Sequence, residues 1–439
     1  MSATKANKAP HIDARDGDMT TLKPGLAESD FAIDAHSDAT FADAVRGYIR
    51  RVRGGDMGSL PAILGLLVLF VVFGFANERF LSALNLANLV TQAGSICVLA
   101  MGLVFVLLLG DIDLSAGVAG GVAACVMALT VVNFQWPWWA AILVGAAVGA
   151  LIGLAIGILR SRLGIPSFVV TLAFFLGLQG VTLKLIGEGG SVRVDNPVIR
   201  GLTIDNLPVT AGWAGAVLVA VAFGALEVYR YRTKVAQGLH HPPFGVVAAR
   251  VGVVALVVLG VTYVLSLNRS VNPNVAIRGI PYVLPLVAVL LIALTFVLTR
   301  TAYGRHVYAV GGNAEAARRA GIRVDRIRVS VFVVCSTLAA LSGIIAASYG
   351  GKVSASSGAG NTLLYAVGAA VIGGTSLFGG KGRAVDAVVG GVVVATIANG
   401  LGLLNQSSYI NFLVTGGVLL LAASVDAVSR RRRSATGLS

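Results

Sequence analysis

Residues 304–322 read GRHVYAVGGNAEAARRAGI, and they decide how the rest of the chain is read. The stretch is polar, basic and built from helix formers, yet it lies between two apolar runs, Tyr282–Thr299 and Val329–Tyr349, that hold no charge. Its middle has the marks of a short helix. Asn313 stands as the N-cap, Glu315 falls in the first turn, Arg318 and Arg319 follow, and Gly321 is the terminator. Ala316, Ala317 and Ala320 leave one side of that helix small enough to enter a cleft of another subunit. A solvated helix stranded between two membrane-length runs has few uses except to touch another protein; the alternative is a plain connector.

The composition supports membrane flanks. The chain has 439 residues, 56% hydrophobic and 12% charged, where a soluble domain carries about a quarter charged residues. About twelve apolar runs reach spanning length, near 59–76, 92–110, 114–133, 139–159, 166–186, 211–229, 249–267, 282–299, 329–349, 363–380, 384–405 and 409–428. An unpaired backbone is costly in lipid, so these are expected to be helices. With Met1 placed in the cytoplasm, 23 basic residues fall in inside loops, 7 outside and 4 in the N-terminal tail. That split fits the positive-inside rule with both termini cytoplasmic, and it puts Trp136, Trp138, Trp139 and Trp213 at the outer interface.

The net charge of +14 is therefore read as topology. Nucleic-acid binding is not expected, because no aromatic platform or basic face accompanies the charge. Residues 1–45 carry eight acids against four bases and read as a disordered cytoplasmic tail, with 46–433 the transmembrane domain and 434–439 a C-terminal tail. Cys97, Cys125 and Cys335 lie in apolar runs, too scattered for a disulfide framework or a metal site. His240–His241 lacks further ligands at zinc spacing, and no metal is expected.

Glycines are placed with order. Gly145, Gly149, Gly153 and Gly157 draw one bare ridge along the fourth run, which reads as close helix packing within the subunit, with a dimer contact as the alternative. Asp111 and Asp113 sit in Gly110-Asp-Ile-Asp-Leu-Ser-Ala-Gly117, within a stretch from Ile96 to Val132 that holds no other charge. Ionisable groups near membrane depth face a pathway or a partner, and flanking glycines suggest a broken helix. Asp113 is alternatively the cap of the next helix. A second glycine-rich turn, Gly373-Gly-Thr-Ser-Leu-Phe-Gly-Gly380, faintly echoes the first. Its Gly380-Lys381 is no phosphate loop, since Thr375 stands where that motif needs its first glycine and Gly382 where it needs Ser or Thr. Any ATPase must then be a separate polypeptide.

Together these motifs resemble the permease subunit of bacterial sugar ABC importers of the ribose/xylose branch. The resemblance covers roughly residues 58–433 and rests on Asp113-Leu114-Ser115, Gly304–Arg318, Gly373–Leu377 with Gly379-Gly380, and Asn399-Gly400-Leu401. It implies an all-α polytopic membrane protein of about 10–12 transmembrane helices with the ABC importer permease fold. It further implies residence in the bacterial inner membrane and pairing with a second copy. The partners would be a separate ATPase that hydrolyses ATP and an extracytoplasmic sugar-binding protein. The 300–328 segment corresponds to the coupling loop, with Gly312, Asn313, Glu315, Ala316, Ala317, Arg318 and Gly321 as candidate ATPase contacts. Asp111, Asp113, Ser115, Thr375, Ser376 and Asn399 are candidates for the substrate path or gate. Ribose-type members are shorter, whereas the extra pair of runs near 211–229 and 249–267 resembles xylose-type permeases, so xylose is the first substrate expectation. Two departures stand out. Leu363 and Tyr365 replace acids usual in the family, and Asp111 replaces a usual glycine.

The competing reading is a twelve-span secondary transporter that couples through Asp111 and Asp113 to protons or cations. A carrier of that kind needs no docking helix in the 300–328 loop. A membrane-embedded enzyme is the weakest alternative, because the spans offer almost no convergent acid, base or phosphate-binding groups.

Overall fold

The computed structural model describes residues 46, 58–239, 241–270, 272 and 274–435. The expected N-terminal tail, 1–45, and the last residues, 436–439, lie outside the described residues. The described chain is helical, with four short strands. The first part runs α1 (Leu60–Ala76), α2 (Ala83–Leu108), α3 (Ala116–Val132), α4 (Trp138–Arg162) and α5 (Ser167–Ile186). Next come β1 (Ser191–Arg193), α6 (Pro197–Ile204), β2 (Asn206–Leu207), α7 (Val209–Ala236), α8 (Phe244–Ser266) and β3 (Ile280–Pro281). The last part holds α9 (Val283–Arg300), α10 (Ala302–Gly312), α11 (Ala314–Arg319), α12 (Val324–Gly350), β4 (Lys352–Ser354), α13 (Thr362–Gly373), α14 (Ala384–Leu403) and α15 (Ser408–Ala435).

Eight of these helices are long and apolar enough to cross a membrane. The expected runs near 59–76 and 114–133 form helices of 17 residues each, just short of that length. A third expected span is corrected. The run near 363–380 is not a full crossing, because α13 has only 12 residues, about 18 Å at 1.5 Å per residue, against the roughly 30 Å of a hydrocarbon core. Gly374 ends it in the left-handed region, at φ 115°, a conformation that favours glycine. A turn then occupies residues 374–383. Periodicity could not show this break, since the turn is itself built of small and apolar residues.

The core is α2, α12 and α14, with α3, α4 and α13 packed around them. Every residue of α2 from Cys97 to Leu108 is buried. The glycine ridge of α4 lies inside the subunit. Gly149, Gly153 and Gly157 press on the backbone of α12 at Ser336, Phe332 and Val329, and Gly145 presses on Ala123 of α3. Close backbone approach of this kind is how helices associate without a hydrophobic driving force.

Each end of the bundle has a distinct character. One end collects Arg160, Arg162, α10, α11 and Arg383 and is here called the basic end. The far end is capped by two small antiparallel ribbons: Ser191 to Arg193 pairs with Ser354 to Lys352, and Asn206–Leu207 pairs with Pro281–Ile280. Buried Arg269 ties the second ribbon, with its Nη2 donating to Asn206 Oδ1 at 2.8 Å and to Gly279 O at 3.0 Å. The hairpin of α7 and α8 stands at the periphery, and almost all of its apolar surface is exposed. Glu227 joins its two helices, accepting from Arg230 at 3.0 Å and Arg250 at 3.1 Å.

Candidate functional site

Three motifs far apart in sequence meet at the basic end. The amide of Gly380 donates to Leu108 O at 2.8 Å, which joins the turn after α13 to the turn after α2. Gly311 of α10 presses on that same Leu108 carbonyl and on Gly380 N, so any side chain at 311 would collide with backbone. The Tyr308 hydroxyl donates to Gly382 O at 2.7 Å. Burial pushes the Tyr308 phenol up, and the Asp386 carboxylate adds to this against the opposing effect of Arg383. Asp386 opens α14, where its Oδ2 accepts from the Arg383 amide at 2.9 Å and its Oδ1 from Arg383 Nη2 at 2.8 Å. The segment is thus bolted to the ends of α2, α13 and α14.

The segment carries its short helix as expected. Thr301 caps α10 by accepting from Gly304 N at 3.1 Å. Asn313 caps α11 by accepting from Ala316 N at 2.9 Å. Glu315 pairs with Arg318 at 2.9 Å and Arg319 at 3.3 Å, and Gly321 follows at φ 84°. Gly312, Asn313, Glu315, Ala316, Arg318, Ala320 and Gly321 are exposed. Ala317 is not: it is buried against the permease's own helices, so the small outward face is Ala316 and Ala320.

The candidate path residues do not form one constellation. Asp111 is buried and pairs with Arg160 of α4 at 2.9 Å, locking the turn to the basic end. Asp113 is 1% exposed. Its Oδ1 accepts from Ser115 N at 2.9 Å and Ser115 Oγ at 2.6 Å. Its Oδ2 has no hydrogen-bond partner among the described residues. Asp113 therefore braces Ser115, the N-cap residue of α3, which makes no side-chain cap hydrogen bond of its own. Thr375 is buried with Oγ1 unpaired among the described residues, and Ser376 Oγ accepts from Phe378 N at 3.2 Å within its own turn. Asn399 lies elsewhere, towards the far end, in a reciprocal amide pair with Asn85 at 2.8 and 3.0 Å. Gln92, which donates to Tyr349 at 3.1 Å, extends that polar chain.

Arg160, Tyr308 and Asp386 were missed by sequence reading. Arg160 counts there only as a topology charge, and Asp386 is one acid at the start of an apolar run. The one available signal was Asp386 three residues after Arg383, a capping-box spacing with an unusual cap residue. From the Asp113 geometry, Asp113→Ala should lose two hydrogen bonds and destabilise the protein by about 1–2 kcal/mol. Asp113→Asn keeps the acceptor and should melt within a degree or two of wild type. Thermal unfolding in detergent compares them, and equal melting of Ala and Asn variants would remove the bracing role.

A family model described as the branched-chain amino acid transport system / permease component matches residues 85–423. The chain belongs to this permease family. Its relatives include the xylose transport system permease protein of Escherichia coli K12, 34% identical over 90% of this chain and 98% of that protein. The corresponding Haemophilus influenzae protein is 32% identical, over 84% and 96%. The ribose import permease protein of Escherichia coli K12 is 30% identical, over 83% and 92%. No solved structure matches. The permease is thus a multi-pass inner-membrane component of an ABC transporter and not itself an enzyme; ATP is used by a separate subunit. Among the described residues there is no cluster of metal-ligating side chains.

Proposed function

We propose that this permease is the membrane-spanning half of an ATP-driven monosaccharide importer, with D-xylose as its first candidate cargo. Two copies would pair, with both termini and the basic end in the cytoplasm and a sugar-binding protein delivering cargo to the far end. The observation that carries this reading is α11. It is a capped, exposed helix with Ala316 and Ala320 outward, and through Gly311 and Tyr308 of the adjoining α10 it is tied to both turns. A secondary carrier has no use for such an element. The choice of xylose is supported by the identity to xylose permeases and by the peripheral hairpin of α7 and α8.

Reconstitution with the cognate ATPase and binding protein in proteoliposomes tests this. We expect D-xylose uptake that requires internal or external ATP on the ATPase side and that a proton ionophore leaves intact. Uptake abolished by the ionophore and indifferent to ATP would sink the importer reading. Preference for D-ribose over D-xylose would change the cargo alone. The permease by itself should bind no nucleotide, so ATP should not shift its melting temperature.

A further inference from the structure

The segment between β4 and α13 does not stay at the far end. Ser357 O and Gly358 O press on Gly121 and Gly117 in the first turns of α3. The neighbouring Gly120 presses on Ala339 and Gly343 in the middle of α12. On the other side, α13 runs only beside the basic-end half of α14, with Gly373 against Asp386 and Ala369 against Gly390. Residues 355–361 therefore dip to about mid-depth of the bundle as irregular backbone, held there by positive φ at Gly358 (77°) and Gly360 (67°). Non-helical backbone at that depth is tolerated where it is buried in protein or lines a water-filled cavity.

A cavity is present. A cleft of about 180 Å³ lies between this dipping segment, α2, α3 and α12, and its polar lining is Ser95, Ser342, Lys352, Ser357, Thr362 and Tyr365. Ser342 is occupied, donating to Ser95 O at 2.7 Å. The hydroxyls of Ser95 and Tyr365 have no hydrogen-bond partner among the described residues, and both residues are partly accessible. On α2, Asn85, Gln92 and Ser95 recur at spacings of seven and three, so one polar face descends from the far end to the cleft. Below it the way is shut, because Cys97 to Leu108 are buried on every side.

We propose that this cleft holds the sugar in transit, with the dipping segment 355–361 as its wall. The chemistry suits a neutral polyol. Open hydroxyls exchange hydrogen bonds with sugar hydroxyls, and the Tyr365 ring offers an apolar face. The lining holds no carboxylate and one cation, Lys352, which disfavours a cationic cargo. Asp111, Asp113, Thr375 and Ser376 then serve the frame, and the path runs beside Ser95, Thr362 and Tyr365. The inference rests on the importer reading.

The test is performed on the full reconstituted importer, with Ser95→Cys, Tyr365→Phe and Thr362→Val variants. The native cysteines are buried, so a small methanethiosulfonate reagent added from the binding-protein side should report position 95. We expect Ser95→Cys labelling to slow at least fivefold in saturating D-xylose or D-ribose, and not in mannitol. Tyr365→Phe and Thr362→Val should each raise the KM for uptake at least fivefold while ATPase co-purification and basal ATP hydrolysis stay at wild-type levels. Labelling unaffected by either sugar, together with normal KM in both other variants, overturns the cleft even where wild-type uptake is ATP-driven. Absence of ATP-driven uptake in the wild type overturns the importer reading first, and this inference with it.

Discussion

Ala316→Trp should strip the ATPase from the permease. The residue is exposed on α11 beside Ala320, with the charged Glu315, Arg318 and Arg319 exposed around it. An indole there adds bulk that a fitted cleft cannot accept; overpacking of a formed interface costs about 1–3 kcal/mol or more, and each 1.4 kcal/mol is tenfold in affinity. We expect at least tenfold less ATPase co-purifying and a matching loss of sugar-stimulated ATP hydrolysis. The melting temperature of the isolated permease should not change, because the side chain points away from its own core. Ala317→Trp makes the contrast: its site is buried, so it should lower the melting temperature first. If Ala316→Trp hydrolyses ATP and retains its ATPase at wild-type levels, α11 is only a connector.

Gly311→Val should separate docking from transport. The Cβ introduced at this position would strike Leu108 O and crowd Gly380 N, so α10 must lift from the two turns that it now touches. The proposed docking face on α11, capped independently by Asn313, remains. The expected result is an assembled complex with near-normal basal ATP hydrolysis, loss of sugar stimulation, and uptake reduced at least tenfold. Tyr308→Phe removes one hydrogen bond from the same junction, worth about 1 kcal/mol, and should give a milder version. Normal uptake by Gly311→Val would show that force does not pass through this contact.

Much of the basic end was legible in the sequence. The helix 314–319, its Asn313 cap and its Gly321 end follow from local chemistry, which depends on residues within one turn of each other. The glycine ridge of α4 was legible for the same reason, as a period along one helix. What could not be read was which distant groups meet. The bond from Gly380 to Leu108 joins positions with nothing in common but a backbone. Asp111, a candidate path acid in the sequence, pairs with Arg160, and only tertiary placement supplies that partner. The half-length α13 escaped because hydropathy counts apolar residues and does not count turns. Leu363 and Tyr365, where family acids are absent, sit at its start: Leu363 is buried, and Tyr365 opens onto the cleft.

The ribbon of Asn206–Leu207 with Ile280–Pro281 has a genealogical meaning. Residues 208–279 leave the body and return to it at points already hydrogen-bonded to one another, and Gly279 lies directly against Leu207 O. A loop with its ends clasped in this way is laid out like a graft on a stock. Excising it and bridging the clasp with a two-residue turn should leave a chain with one hairpin fewer that still inserts and folds. An ancestor could have gained or shed the hairpin in a single recombination event, with no intermediate that exposed the core.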